Sequence, residues 1–409
     1  MKRKIIIWII VIIFLLPLWM FLSWVFSSSR KLDVLILDKT SLSNNYDEHR
    51  SFNWILNNQK FTKRDGNLYE IGKDYFGFYP EDSYVYKTKD FTTVSDKQLD
   101  SMADYYDMTY YTDVYGVYSR EWYGTKDNKD QANSLKMFNV LKMMQGKQAA
   151  GERSQLIYGG LSYGDVLFLE KMKQRKKLIL TEFNFLGSPS DDKIREKAEE
   201  DFGIHWTGWI GRYFDNLDTL KNRELPKWVV SLYKQQHAGK WPFKNSGIVF
   251  VNRNETIAVL EQDTHLKKDV PVIETNEHFQ DMYNIPDKVI YPFWFDITVN
   301  TRDNDIISAY HIYTNNTGDS VLKYHGIPKG FPAAMSHYKD DYKFFYFSGD
   351  FADNQINATA ISKLKGIKYF RTFLYNHGEL GDRNRFFWSY YCQMMSTILN
   401  NYYDTYKKK

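Results

Sequence analysis

The sequence predicts an α/β protein: an N-terminal transmembrane helix, then a parallel or mixed sheet flanked by helices, with insertions and a C-terminal helix. Three observations carry this expectation. Residues Ile5–Phe26 form an almost unbroken apolar run behind Lys2-Arg3-Lys4. Residues Gln155–Gly203 pass twice from a strand pattern to a helical one, the βαβα order of a parallel sheet with right-handed crossovers. The second half then turns to short apolar strands joined by tight turns.

A run of roughly 20 apolar residues is long enough to cross the hydrocarbon core as a helix. The bases before it are expected to stay cytoplasmic, which exports the remainder. A cleaved signal has a shorter apolar region, about 7–15 residues. This run is longer and holds Trp8, Trp19, Phe21 and Trp24. It therefore reads as a retained anchor, with Ser27-Ser28-Ser29 open as either a cleavage site or the polar exit from the bilayer. The expected organisation is a cytoplasmic stub (1–4), an anchor (5–26), an α/β ectodomain (30–360) with insertions near 60–100 and 124–150, and a C-terminal helical segment (361–409) packed on it.

Composition narrows the function. Lys2, Arg3 and Lys4 are three of the 54 bases and residues 1–29 hold no acid, so the rest carries 51 bases against 50 acids. That balance gives no electrostatic case for nucleic acid. The single cysteine, Cys392, excludes an internal disulfide and fits a bacterial envelope better than a eukaryotic secretory route. Aromatic residues at 17% supply ample material for a packed core.

Leu32–Leu37 reads as a buried parallel strand ending at Asp38-Lys39-Thr40, and Tyr46–Leu56 as a helix. Residues 60–100 read as an insertion with short strands. Met108–Tyr111 is the next strand, ending at Asp113, and 124–150 reads as a helical insertion around Leu135–Met144. Leu156–Tyr158 is expected as a strand with Gly159-Gly160 as its tight exit. Ser162 and Asp165 match a capping box, and Val166, Leu169 and Met172 follow at helical spacing. Leu178–Phe185 is a strand and Asp191–Phe202 a helix. Gly247–Val251 and Thr256–Glu261 flank a turn and read as a hairpin. Tyr291–Val299, Ile306–Tyr313, Phe331–His337 and Tyr342–Ser348 are further strands, and a helix spans about Arg383–Tyr403.

Three of these pieces together resemble the class I glutamine-amidotransferase-like fold in its non-catalytic branches, the ThuA-like proteins and the middle domain of some bacterial β-galactosidases. They are the strand Leu32–Leu37, the turn Tyr158-Gly159-Gly160-Leu161-Ser162 with its helix, and Gly330–Ala334 leading to Tyr342–Phe347 and Gly349-Asp350. The resemblance covers about residues 32–355. It implies a cysteine nucleophile in the turn after a central strand, yet Leu178–Asn184 contains none. Cys392 lies in the terminal helix and reads as a buried apolar residue. The resemblance therefore implies a degenerate member without glutamine hydrolysis, with Glu182 near the vacated nucleophile position.

Ligands of open α/β sheets bind beyond the carboxyl ends of the strands. That rule selects Asp38, Asp113, Tyr158, Glu182 and Asn184, and Arg212 joins them from the aromatic cluster Trp206–Phe214. The plainer reading is that Asp38 caps a turn, Glu182 pairs with Arg212 or another base, and the rings of Trp206–Phe214 and Tyr291–Phe295 are core. Asp38, Glu48 and Glu182 would serve as general acid and base on a glycan if they converge in one cleft. Gly160-Leu161-Ser162-Tyr163-Gly164 matches a nucleophile elbow with Ser162 as nucleophile, but none of His265, His311 and His325 has a distinctive setting. No metal site or cofactor is expected: Glu48-His49 and Glu277-His278 are adjacent pairs whose side chains diverge. Asp350, Asp353 and Asn354 read as turn formers, and Gly381–Trp388 as the segment docking the last helix. The expected function is a non-catalytic extracytoplasmic binding or assembly module, single-pass in the bacterial inner membrane through residues 5–26. Its partners would be an envelope saccharide or an envelope protein. The alternative is an envelope hydrolase, carboxylate-based or using Ser162.

Overall fold

A computed structural model of the chain describes residues 15–81, 84–124, 154–222, 224–354, 356 and 359–407. The helix expected around Leu135–Met144 and the first part of the apolar run lie outside them. Fourteen strands are labelled here in chain order: β1 (Val34–Asp38), β2 (Phe76–Pro80), β3 (Tyr86–Lys89), β4 (Met108–Asp113), β5 (Leu178–Glu182), β6 (Ile204–Phe214), β7 (Gly247–Asn252), β8 (Ile257–Glu261), β9 (Val272–Thr275), β10 (Lys288–Ile290), β11 (Phe295–Asn300), β12 (Asp305–His311), β13 (Gly330–Tyr338) and β14 (Lys343–Phe347).

One large mixed sheet has the order β10-β9-β12-β13-β14-β5-β4-β1-β2-β3. Its centre, β14-β5-β4-β1-β2, is parallel, and both flanks are antiparallel. Every residue of β1, β5 and β14 is buried. Helices cover both faces, which is why these strands read as continuous apolar runs rather than alternating ones. Val34 and Ile36 of β1 enter the core shared with α2 (Asp47–Asn58) and the C-terminal helix. Leu35 and Leu37 enter the opposite core with α3 (Asp96–Tyr105), α4 (Tyr163–Gln174) and α5 (Asp192–Phe202). Each fully buried Leu, Ile or Phe stabilises the fold by about 1.5–3 kcal/mol.

A second antiparallel sheet, β8-β7-β6-β11, carries α6 (Lys227–Gln236) on its own small core. The two sheets meet where Phe295 bridges Gly349 and the Asp296 amide donates to Ser348 O at 2.8 Å. Beyond β14 the chain closes with the helical stretch Arg383–Tyr402, which includes a π turn at Phe387–Tyr391 and the buried Cys392.

The structure corrects two expectations. Leu156–Tyr158 is not a strand of the main sheet: it pairs antiparallel with Val117–Tyr118 in an outlying ribbon. A Cβ on Gly159 would meet Gly116 Cα at 2.4 Å, so the glycines there serve the close approach of these two backbones. Residues 60–100 are not merely an insertion. They supply the edge strands β2 and β3 and the helix α3, which starts at a capping box on Ser95. Alternation was obscured because β2 is aromatic on both sides and β3 is exposed throughout.

The end of the apolar run, helix α1 (15–25), docks on the body. Met20 and Trp24 are buried, and Trp24 Nε1 donates to Asn57 O at 3.1 Å. Lys60 Nζ donates to the carbonyls of Trp24 (3.1 Å), Val25 (2.7 Å) and Ser27 (2.5 Å), closing a helix end whose last carbonyls have no intrahelical partner. Among the described residues no helix is long and apolar enough to cross a membrane.

Candidate functional site

Parallel pairing aligns strand ends, and here it aligns acids. Asp38 at the end of β1 is the register partner of Asp113 at the end of β4, and Glu182 at the end of β5 is the partner of Phe347, two residues before Gly349-Asp350. A cavity of about 510 Å³ opens beyond this edge, closed on its far side by the small sheet. Its acidic residues are Glu48, Asp113, Asp350 and Asp353 on the strand-edge side with Glu121 and Glu224, its bases are Arg120, Arg212, Lys227 and Arg253, and its aromatic wall includes Trp206, Trp228 and Trp294.

The carboxylates differ in how far the protein satisfies them. Asp38 is fully buried: its carboxylate accepts the amides of Thr40 (2.9 Å) and Ser41 (3.1 Å), the Ser41 hydroxyl (2.6 Å) and a 2.6 Å bond with His49 Nδ1. Ser41 Oγ also reaches Glu48 Oε2 at 3.2 Å, so Glu48 stands over this group and faces the cavity. Burial, followed by the charge of Asp38, pushes the Glu48 carboxyl well above the ordinary range. Burial likewise raises Asp113 to about 8, against the opposing amide of Tyr115 at 2.7 Å. Asp350 is raised well above its usual value by burial and by Asp353, with Arg383 opposing. Arg383 Nη1 lies 2.7 Å from Asp353 Oδ2 and 3.8 Å from Asp350 Oδ2, one cation for two acids. Burial and neighbouring carboxylates therefore favour the protonated forms of Glu48, Asp113 and Asp350, which can donate to a ligand.

Asn184 lines the same cavity from the turn after β5, with φ at +63°, a left-handed conformation that asparagine tolerates better than most residues. Its carbonyl accepts the Gly187 amide at 2.9 Å, which closes the turn. Across from it Arg212 pairs with Glu224, while its buried Nε has no acceptor among the described residues. Trp294 stacks on Phe183 at 6.5 Å with a 17° interplanar angle and meets Phe214 edge-on.

The residues singled out in the sequence are distributed as follows. Asp113, Asn184 and Arg212 line the cavity with Glu48, and Asp38 lies one hydrogen-bond layer beneath. Glu182 is fully buried below the cavity, accepting from Tyr110 Oη and from the Ala352 amide at 3.1 Å, and its carboxyl is raised well above the usual range by burial and by Asp350. It pairs with neither Arg212 nor another base among the described residues. Tyr158 faces a different hollow, lined also by Lys39, Asp90 and Ser162. Ser162 caps α4: its Oγ accepts the Asp165 amide at 3.2 Å and donates to the Asp165 carboxylate at 2.7 Å. No described histidine reaches it, so the geometry provides no catalytic triad. The four residues that sequence reasoning did not place at the site are Asp350, Asp353, Arg383 and Trp228. Asp350 follows a strand end, so the rule that selected Asp113 also selects it. Arg383 and Trp228 arrive from distant segments and carry no local signal.

No family model matches the chain, and no curated protein matches it. Solved structures similar to it include two ThuA-like proteins. One is a ThuA-like protein from Bacteroides uniformis, 9% identical, covering 83% of this chain and 91% of its own, with a TM-score of 0.35. The other is a ThuA-like protein from Parabacteroides merdae, 11% identical, covering 78% of this chain and 79% of its own, with a TM-score of 0.34.

Proposed function

We propose that the chain is a membrane-tethered binding module of the bacterial envelope, held by residues 5–26, whose strand-edge cavity takes a neutral, polyhydroxylated ligand of the saccharide class. The observation that carries this reading is the meeting of six carboxyl groups with three tryptophans in one cavity of about 510 Å³. Ligand cavities commonly measure about 300–1,000 Å³. Carboxylates accept hydroxyl hydrogens, protonated carboxyls and the free Arg212 Nε donate, and an indole face covers the apolar side of a sugar ring. The finer fold assignment, a degenerate glutamine-amidotransferase-like domain, belongs to the same reading, with Glu182-Phe183-Asn184 at the turn where that fold carries its cysteine.

One observation favours a second reading. Glu48 and Asp113 are both raised by burial, and a carboxyl kept protonated near neutral pH beside ionised neighbours is the pattern of a general acid. In that case the module would hydrolyse the glycan it binds.

Thermal unfolding of the full chain in detergent, with a panel of envelope saccharides, tests the first reading. A ligand bound only by the folded state adds about 2.7 kcal/mol at a hundredfold excess over its dissociation constant. The shift is expected in the native chain and absent in Trp294→Ala. Release of reducing ends, abolished by Glu48→Gln, would establish the second reading. The saccharide proposal would be abandoned if no saccharide shifted the midpoint.

A further inference from the structure

We infer that the rim formed by residues 359–374 is an interfacial membrane-docking surface that seats the domain in an anionic headgroup layer beside its own anchor. The inference rests on the tether proposed above and adds a second contact to it.

The first observation is where the domain grips the apolar run. Met20 and Trp24 are covered by the body, and the Lys365 amide donates to Met20 O at 3.2 Å. Lys363 Nζ lies 5.9 Å from the Trp24 ring. The grip thus begins well inside the apolar run and not at its polar exit. Only Ile5–Trp19, fifteen residues, remain ahead of it. A helix of fifteen residues is about 22 Å long. The hydrocarbon core is about 30 Å thick. A domain gripping the anchor at Met20 is therefore drawn down into the interface by the length that is missing.

The second observation is what the rim carries at that level. Directly after Lys365 the short helix Ile367–Phe373 presents Tyr369 (81% exposed) and Phe373 (84% exposed) to solvent. The described part of the apolar run also exposes Trp19 (63%) and Phe26 (82%). Aromatic side chains concentrate at bilayer interfaces. The rim is also basic: residues 359–378 hold Lys363, Lys365, Lys368 and Arg371 and no acid. That is a marked local excess in an exported part that is otherwise nearly balanced. Bases at this depth attract anionic headgroups, while rings between them enter the acyl boundary.

The full chain is reconstituted in nanodiscs of one-third anionic phosphatidylglycerol in phosphatidylcholine. It carries an environment-sensitive fluorophore on Trp19→Cys, Phe373→Cys or Leu220→Cys in turn. Cys392 is buried and gives little background labelling. Leu220 is 93% exposed and belongs to neither the anchor nor the rim segment. The expected result is a blue shift and quenching by lipid-borne spin labels at Trp19 and Phe373 but not at Leu220. Adding Lys368→Gln and Arg371→Gln should reduce quenching at Phe373 severalfold and leave Trp19 unchanged. Lipid quenching at Trp19 with water-like emission at Phe373 overturns the inference and keeps the tether; water-like emission at both overturns both. A shift at Phe373 that appears in detergent alone and grows with protein concentration overturns the inference in favour of contact between copies.

Discussion

Two hollows open at the carboxyl edge of the same sheet, and a buried carboxylate stands in or behind the lining of each. In the one beside Gly159–Ser162 that carboxylate, Asp165, is answered from within. Lys39 Nζ lies 2.5 Å from Asp165 Oδ2 and donates to Gly160 O at 2.9 Å, and Asp165 also closes the cap of α4. In the cavity of Glu48, Asp113, Asp350 and Asp353, one guanidinium serves two acids and the other acids are held partly protonated by burial. The first hollow is the larger, about 730 Å³ against 510 Å³, so size does not distinguish them. Unspent hydrogen-bonding capacity does. A closed network stabilises a turn, whereas one left short of partners is available to a ligand.

Breaking the closed network should cost the most stability. Lys39→Met leaves Asp165 buried without its cation and is expected to cost about 3–5 kcal/mol in denaturant unfolding. Conversion of Asp113 should show the opposite behaviour. Its carboxyl holds a proton up to about pH 8 in the fold, against 3.8 for the ordinary group. The folded chain therefore binds the extra proton between those values, and stability falls as the pH rises through them. Asp113→Asn removes that loss: unfolding near pH 4 should be unchanged, and near pH 8 the variant should gain up to about 5 kcal/mol at 1.36 kcal/mol per unit. A variant less stable than the native chain at pH 8 would show that Asp113 is ionised and structurally paired. The smallest effect belongs to Ser162→Ala, which loses a helix cap at about 1 kcal/mol.

The comparison also separates what local sequence could reveal from what it could not. β1, β5 and β14 were legible because burial on both faces leaves a continuous apolar run, and the cap at Ser162 because its partner is three residues away. Asp113 and Asn184 followed from the strand-end rule. Glu182 obeyed that rule too, yet its side chain turns into the core toward Tyr110, and strand position alone does not say which way an end residue points. Arg383 lies 30 residues beyond Asp353 and meets it only because the last helix folds back over the sheet. Leu156–Tyr158 is a strand as expected, but its placement in the main sheet failed for a similar reason: three apolar residues cannot indicate which sheet they join.

The most direct test of the contrast is the ligand-induced shift of the unfolding midpoint in two variants, Asp350→Asn and Ser162→Ala, at a saturating concentration of any saccharide that shifts the native chain. The account predicts that Ser162→Ala keeps the full shift from its lowered baseline, while Asp350→Asn loses most of it without loss of intrinsic stability. If Asp350→Asn keeps the shift and Ser162→Ala abolishes it, the ligand sits in the other hollow and the assignment of the site is wrong.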